Sequence, residues 1–169
     1  MLRQFSVGGG NGAAVPMPRT LAALLAGAVA IALNIAALAA ADLVPLATAH
    51  GGLLRLLMML SGDALPIPAG GASQAGFHIV VGLAMALFYA LVLEPVLRGP
   101  SWRRGLIYAV AVWLINAAVV LPATGEGFAG SRHLTLAGVV WFAAAHTLFF
   151  VVLAVLYERL QGGHRAMPD

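Results

Sequence analysis

Four long runs of apolar residues, almost free of charge, decide what this chain can fold into. A bilayer core about 30 Å thick is crossed by roughly 20 apolar residues in helical form. The first run, Thr20 to Ala41, carries one polar amide, Asn34. The second, Gly76 to Leu97, opens at His78 and closes at Glu94-Pro95. The third, Gly105 to Pro122, is the shortest, and at about 1.5 Å per residue it still reaches roughly 27 Å. The fourth, Leu134 to Tyr157, holds His146 and Thr147 near its middle. Barrel strands would alternate apolar and polar residues over about ten positions, and none of these runs alternates. The expected fold is therefore an all-α membrane protein of four transmembrane helices in two hairpins, the first span with the second and the third with the fourth.

Composition closes off a water-soluble alternative. The chain is 62% apolar and 9% charged, with a mean hydropathy of +0.96, whereas soluble domains carry roughly 25% charged residues as a polar shell. Cysteine is absent, which removes disulfides, thiolate metal sites and iron–sulfur clusters. The net charge of +3 comes from arginine without a single lysine. These arginines stand singly or as one pair, so they argue against nucleic acid and for membrane topology.

Grouped by loop, Arg3, Arg19, Arg98, Arg103, Arg104, Arg159 and Arg165 fall on one side, and Arg55 and Arg132 on the other. That asymmetry predicts a cytoplasmic N-terminus, and an even number of spans predicts a cytoplasmic C-terminus as well, in a bacterial inner membrane. Trp102, Tyr108 and Tyr157 then fall near the cytoplasmic interface, where amphipathic rings are favoured. Residues 1–18 read as a flexible cytoplasmic tail, 19–160 as the four-helix transmembrane domain, and 161–169 as a second tail. The first apolar core is longer than that of a cleavable signal peptide, so a retained helix is expected. A shorter apolar piece, Leu53 to Leu60, cannot span and is expected to form an interfacial or re-entrant helix between the first two spans.

In the first span Ala22, Ala26 and Ala30 recur at four-residue spacing, as do Ala28, Ala32, Ala36 and Ala40. Small residues so placed let backbones approach closely in lipid. Sliding the fourth span onto the second by 68 positions aligns His78 with His146, Ala86 with Ala154 and Tyr89 with Tyr157. Each His–Tyr pair is three helical turns apart, hence on one face, and parallel repeats of this kind occur in some transporters.

Polar groups inside lipid are costly and need partners. Asn34, Tyr89, Asn116 and His146 all fall in the middle half of their spans, and the expectation is one mutually hydrogen-bonded polar layer, either structural glue or a mid-membrane substrate site. His78 and His146 are also candidate axial ligands of a haem, or ligands of a metal. Counting back to the flanking arginines places those two histidines at heights roughly 10 Å apart, which argues against the pair. No other cofactor is expected. Asp42, His50, Asp63, His78, Glu126 and His133 gather at the far face without any metal-ligand spacing, and Met58-Met59 near His50 is the one soft-metal feature. Glu94 and Glu158 read as boundary residues. No nucleophile–base pair, phosphate loop or HExxH motif is visible, so nothing in the sequence supports an enzyme.

The run from Phe77-His78 through Gly82 to Tyr89, then Arg104-Gly105 with Trp113-Leu114, Leu121-Pro122 with Gly125, Gly127 and Gly130, and His146 leading to Tyr157, resembles an uncharacterised family of small four-span bacterial inner-membrane proteins. The resemblance covers roughly residues 20 to 160 and implies the four-span architecture but no activity. Phe150 stands where that pattern would place a glycine, four residues after the second histidine.

The functional expectation is a polytopic protein in the lipid bilayer with no nucleic-acid partner. Small size and minimal loops point to an accessory or scaffold subunit that packs as a homo-oligomer or against a larger membrane complex. The alternative from another class is a small oligomeric transporter or channel component using the mid-membrane polar site. The third is a haem- or metal-binding membrane protein.

Overall fold

The structure is a computed structural model that describes residues 17–44, 46–48, 52–62 and 70–162. Two of the polar candidates at the far face, His50 and Asp63, lie outside the described residues, as do most of both tails. Five helices carry the fold: α1 (Arg19–Asp42), α2 (Gly52–Ser61), α3 (Gly71–Leu93), α4 (Ser101–Ala123) and α5 (Leu136–Leu160). No strand occurs among the described residues. In hydrocarbon every backbone amide must be satisfied within its own segment, which is why such apolar runs become helices.

Helices α1, α3, α4 and α5 are long and apolar enough to cross a membrane, with mean hydropathies of 2.2 to 2.4. They mark the chain as a multi-pass membrane protein. Their outward faces agree: Leu21, Leu25, Val29 and Leu33 on α1, and Val110 and Leu114 on α4, are all exposed. In water such a surface would drive association; in lipid it is the required solvent-facing side. The short α2 sits between the first two spans, as its length demands.

Around the bundle the order is α3, α1, α5, α4, with α1 packed on α3 and α5, and α5 packed on α4. Ala22, Ala23, Ala26, Gly27 and Ala30 form the buried stripe of α1. At Gly27 a Cβ would stand 2.6 Å from the Cβ of Ala86 on α3, so a small residue is needed there. The second alanine stripe, Ala28, Ala32 and Ala36, faces outward. At the α4–α5 seam Gly105 meets the backbone of Phe150 directly. Phe150 stands where the resembled pattern would place a glycine, and a close helix contact is made there all the same, with the glycine supplied by the opposite helix.

Two of the spans contain wide turns. Residues Tyr89–Leu93 of α3 and Asn116–Val120 of α4 are π-helical. Each closes just before a proline: Glu94 N–H donates to Tyr89 O, and Leu121 N–H donates to Asn116 O. Pro95 and Pro122 cannot donate to the carbonyl four residues back, and their rings crowd it. Widening the preceding turn by one residue relieves that crowding without breaking the span.

Candidate functional site

Charge collects at the end of the bundle that holds the beginning of α1 and the end of α5, here called the terminal end. Each spanning helix sends one group to it. Arg19 of α1 donates to a Glu94 carboxylate oxygen at 2.8 Å, to Tyr157 Oη at 3.1 Å and to the carbonyl of Ala90. Arg104 of α4 reaches the other Glu94 oxygen at 3.3 Å and Glu158 of α5 at 2.6 Å. Glu94 and Arg104 are 8% and 6% exposed, so they form the buried centre of an ion cluster whose outer members, Arg19 and Glu158, are each 45% exposed at the side chain. Glu94, at the end of α3 as expected, is also the hub of the cluster. The signal is present in the sequence, since the topology puts Arg19, Glu94, Arg104 and Glu158 at one level, one per span.

Directly above the cluster lies a layer of rings. Tyr89 stacks on Tyr108 with centroids 6.2 Å apart and meets Tyr157 edge-on at 5.8 Å, while Tyr108 lies 4.4 Å from Phe150. Tyr89 therefore stands apart from the expected polar layer. Eleven residues separate it from His78 on the same helix, roughly 16 Å along the axis. Its hydroxyl is buried without a hydrogen-bond partner.

Among the described residues no hydrogen bond joins Asn34, Asn116 and His146 to one another; Asn34 and His146 each bond a backbone carbonyl instead. Asn34 of α1 is 1% exposed. Its Nδ2 donates to the carbonyl of Ala145 on α5 at 2.9 Å, and its Oδ1 lies 2.7 Å from Nε2 of His78 on α3. The His78 and His146 rings meet edge to face with centroids 6.2 Å apart. This corrects the expected difference in height. His78 lies 15 residues before the end of α3 at Leu93, and His146 14 before the end of α5 at Leu160. Arg98 lies beyond the end of α3, so counting from it overstates the depth of His78. Both ring pairs among those aligned by the 68-residue shift, His78 with His146 and Tyr89 with Tyr157, are thus ring neighbours in the bundle core.

Asn34, His78, Asn116 and His146 line one cavity of about 450 Å³. It runs from Ile31 and Phe150 at mid-depth to Asp42 and Gln74 at the far end. Its other walls are apolar, and among the described residues no arginine lines it. The α3–α4 seam, bridged by Tyr108 Oη donating to the carbonyl of Met85 at 3.3 Å, holds a second groove of about 580 Å³. Val81, Met85, Val112 and Ile115 line both spaces, so the cavity shares a wall with a groove on the lipid-facing side.

At the far end Glu126 accepts from Arg55 of α2 at 3.1 Å and lies 2.6 Å from Nδ1 of His133. This exposed pair ties α2 to the turn before α5, where Gly127 and Gly130 take positive φ values of 77° and 81°. Among the described residues no group of three His, Asp or Glu side chains could hold a metal ion. Comparison of the chain with protein-family models, curated proteins and solved structures finds no match to any of them.

Proposed function

We propose that this protein is a small membrane transporter or channel component that takes its solute at the Asn34–His78–His146 site. The observation that carries the reading is a largely apolar cavity that runs from the polar groups Asn34, His78 and His146 to Asp42 and Gln74 at the far end, while an ion cluster occupies the terminal end. A passive scaffold gains nothing from polar side chains lining a void at mid-span, since each polar group placed there costs free energy. A transporter needs such a site near the midplane and a seal on one side of it. The π-turns of α3 and α4 provide places where those helices can change their bend. The termini lie in the cytoplasm of a bacterial inner membrane, so the cavity faces outward in this conformation.

Because the chain has no cysteine, single introduced thiols test both statements. Trp102→Cys is expected to react with a membrane-impermeant maleimide only from the cytoplasmic side, and labelling from the periplasm overturns the orientation. Asn116→Cys, in the cavity wall, is expected to react only from the periplasm in an otherwise native chain. Adding Glu94→Gln opens the seal and makes Asn116→Cys reactive from both sides. If Asn116→Cys stays unreactive from both sides in both backgrounds, the transporter reading is lost.

A second reading, an accessory subunit in a homo-oligomer or larger complex, draws support from the outward stripe of Ala28, Ala32 and Ala36, a surface suited to close helix packing. It expects Ala32→Leu to dissociate an assembly in mild detergent. A third, haem or metal carriage, draws on the 6.2 Å separation of the two histidine rings. It expects a Soret band or stoichiometric metal in the purified protein, and a colourless, metal-free sample removes it.

A further inference from the structure

We propose that the cavity binds a neutral amphiphile whose head group donates hydrogen bonds, such as a hydroxylated lipid, with its apolar body in the groove between α3 and α4. The proposal rests on the reading of the cavity as a solute site and names the class of solute.

The carbonyls of Ala145 and Phe142 can only accept. Asn34 donates its amide N–H to the first, so its oxygen faces His78. That oxygen is an acceptor, so His78 carries its proton on Nε2, and its Nδ1 is a bare lone pair. His146 Nδ1 lies 2.8 Å from the carbonyl of Phe142 and must donate to it, which leaves Nε2 of His146 bare as well. Neither tautomer can switch cheaply. Moving the His78 proton would set two acceptors against each other at 2.7 Å, and flipping Asn34 to compensate would set its oxygen against Ala145 O. The buried polar atoms without a partner are, among the described residues, Tyr89 Oη and Arg104 Nε. The two bare imidazole nitrogens are therefore not sealed in protein, and both residues line the cavity.

The protein thus presents two fixed acceptors at the polar end of an apolar space. A head group made only of acceptors, such as an ester, ether or quinone oxygen, gains nothing from them. An anionic head group finds no arginine among the described residues that line the cavity. A hydroxyl satisfies a bare nitrogen, and a diol or hydroquinone can satisfy both. The groove supplies the rest of the ligand's environment: Val81, Ala84 and Phe88 on one side and Ile107, Ala111 and Ile115 on the other. Its shared wall with the cavity lets a chain enter from lipid while the head turns inward.

The test uses the full chain in lipid nanodiscs and two photoreactive probes, a long-chain alkyl diol with a diazirine in its tail and the bis-methyl ether of the same molecule. The diol is expected to label α3 and α4 groove peptides, and the ether at least about tenfold less, the loss of two hydrogen bonds. His146→Phe, which removes one of the two acceptors and leaves His78, should bring diol labelling part of the way down to the ether level. Ala111→Trp, which fills the groove and leaves the hydrogen-bonded set intact, should abolish it, whereas Val29→Trp on the lipid face of α1 should not change it. Equal labelling by diol and ether, or labelling indifferent to Ala111→Trp, overturns the proposal. So does one equivalent of copper or zinc in the purified protein whose removal is needed before the diol labels. The thiol-access experiment uses no lipid probe, so it tests the transporter reading independently of this outcome.

Discussion

Glu94→Ala is expected to destabilise the folded bundle by about 3–5 kcal/mol, the usual cost of removing one partner from a buried ion pair. Among the described residues Glu94 is the only carboxylate in contact with both Arg19 and Arg104, and its side chain is 10% exposed. Its loss leaves Arg104, itself 8% exposed at the side chain, with Glu158 alone, and one of its nitrogens already lacks a partner. The two contacts do not count equally. The Arg19 contact is shorter, 2.8 Å against 3.3 Å, but Arg19 is 45% exposed at its side chain, so water screens it and relieves its loss. The buried Arg104 carries most of the penalty. Arg19 also keeps its bonds to Tyr157 and the Ala90 carbonyl when Glu94 is removed.

The measurement is the midpoint of unfolding in a mixed-micelle denaturant titration, followed by helicity. Glu94→Gln should cost less than Glu94→Ala because an amide oxygen still accepts from one guanidinium. Combining Glu94→Ala with Arg104→Leu should recover part of the loss, since a pair deleted on both sides leaves no stranded charge. If the double variant is less stable than Glu94→Ala by the full cost of a second independent substitution, the cluster is not coupled as described. A stability unchanged by Glu94→Ala contradicts the cluster altogether.

The helices themselves are legible in the sequence because hydrocarbon thickness leaves little freedom: a run must be about 20 residues and apolar. The short Leu53 to Leu60 piece is equally plain, and it forms Gly52–Ser61. What escapes is lateral. Nothing in a linear pattern says that α1 sits between α3 and α5, or that the α3–α4 seam stays loose, because those arrangements follow from which small residues meet. Asn34 and His146 are visible as costly polar groups, but their partners are not, since each bonds a backbone carbonyl that every sequence possesses. Depth alone groups Tyr89 with them, whereas its ring packs with Tyr108 and Tyr157. Glu94 hides beside Pro95, where a helix end is the ordinary expectation. The helix does end there, at Leu93, but Glu94, whose N–H closes the π-turn on Tyr89 O, sets its carboxylate between two arginines that the linear pattern does not pair with it.

Gly105→Leu should be nearly as damaging as loss of Glu94, for a reason that involves no charge. A Cβ at position 105 would stand 2.6 Å from the carbonyl oxygen of Phe150 and 2.8 Å from the Cα of Val151. Both are backbone atoms, so no rotamer change makes room, and α4 and α5 must move apart. Overpacking of this kind costs about 1–3 kcal/mol, with larger side chains at the upper end or beyond. Opposing it is the gain of roughly 1 kcal/mol when a helical glycine acquires a side chain. For Gly105→Ala the two nearly offset, with the clash winning modestly; for Gly105→Leu the clash dominates, and a loss of about 3 kcal/mol is expected. Other glycines calibrate the argument. At Gly82 the nearest obstacle, 2.8 Å away, is the terminal carbon of Ile31, which can swing aside, so Gly82→Ala should cost less than Gly105→Ala. At Gly76 nothing lies within 4 Å, so Gly76→Ala should stabilise α3 by up to about 1 kcal/mol. The same denaturant titration reads all four variants. A Gly105→Ala chain more stable than Gly76→Ala would show that α4 and α5 do not approach at this point. The ring contact of Tyr108 on Phe150, which depends on that approach, would then be lost with it.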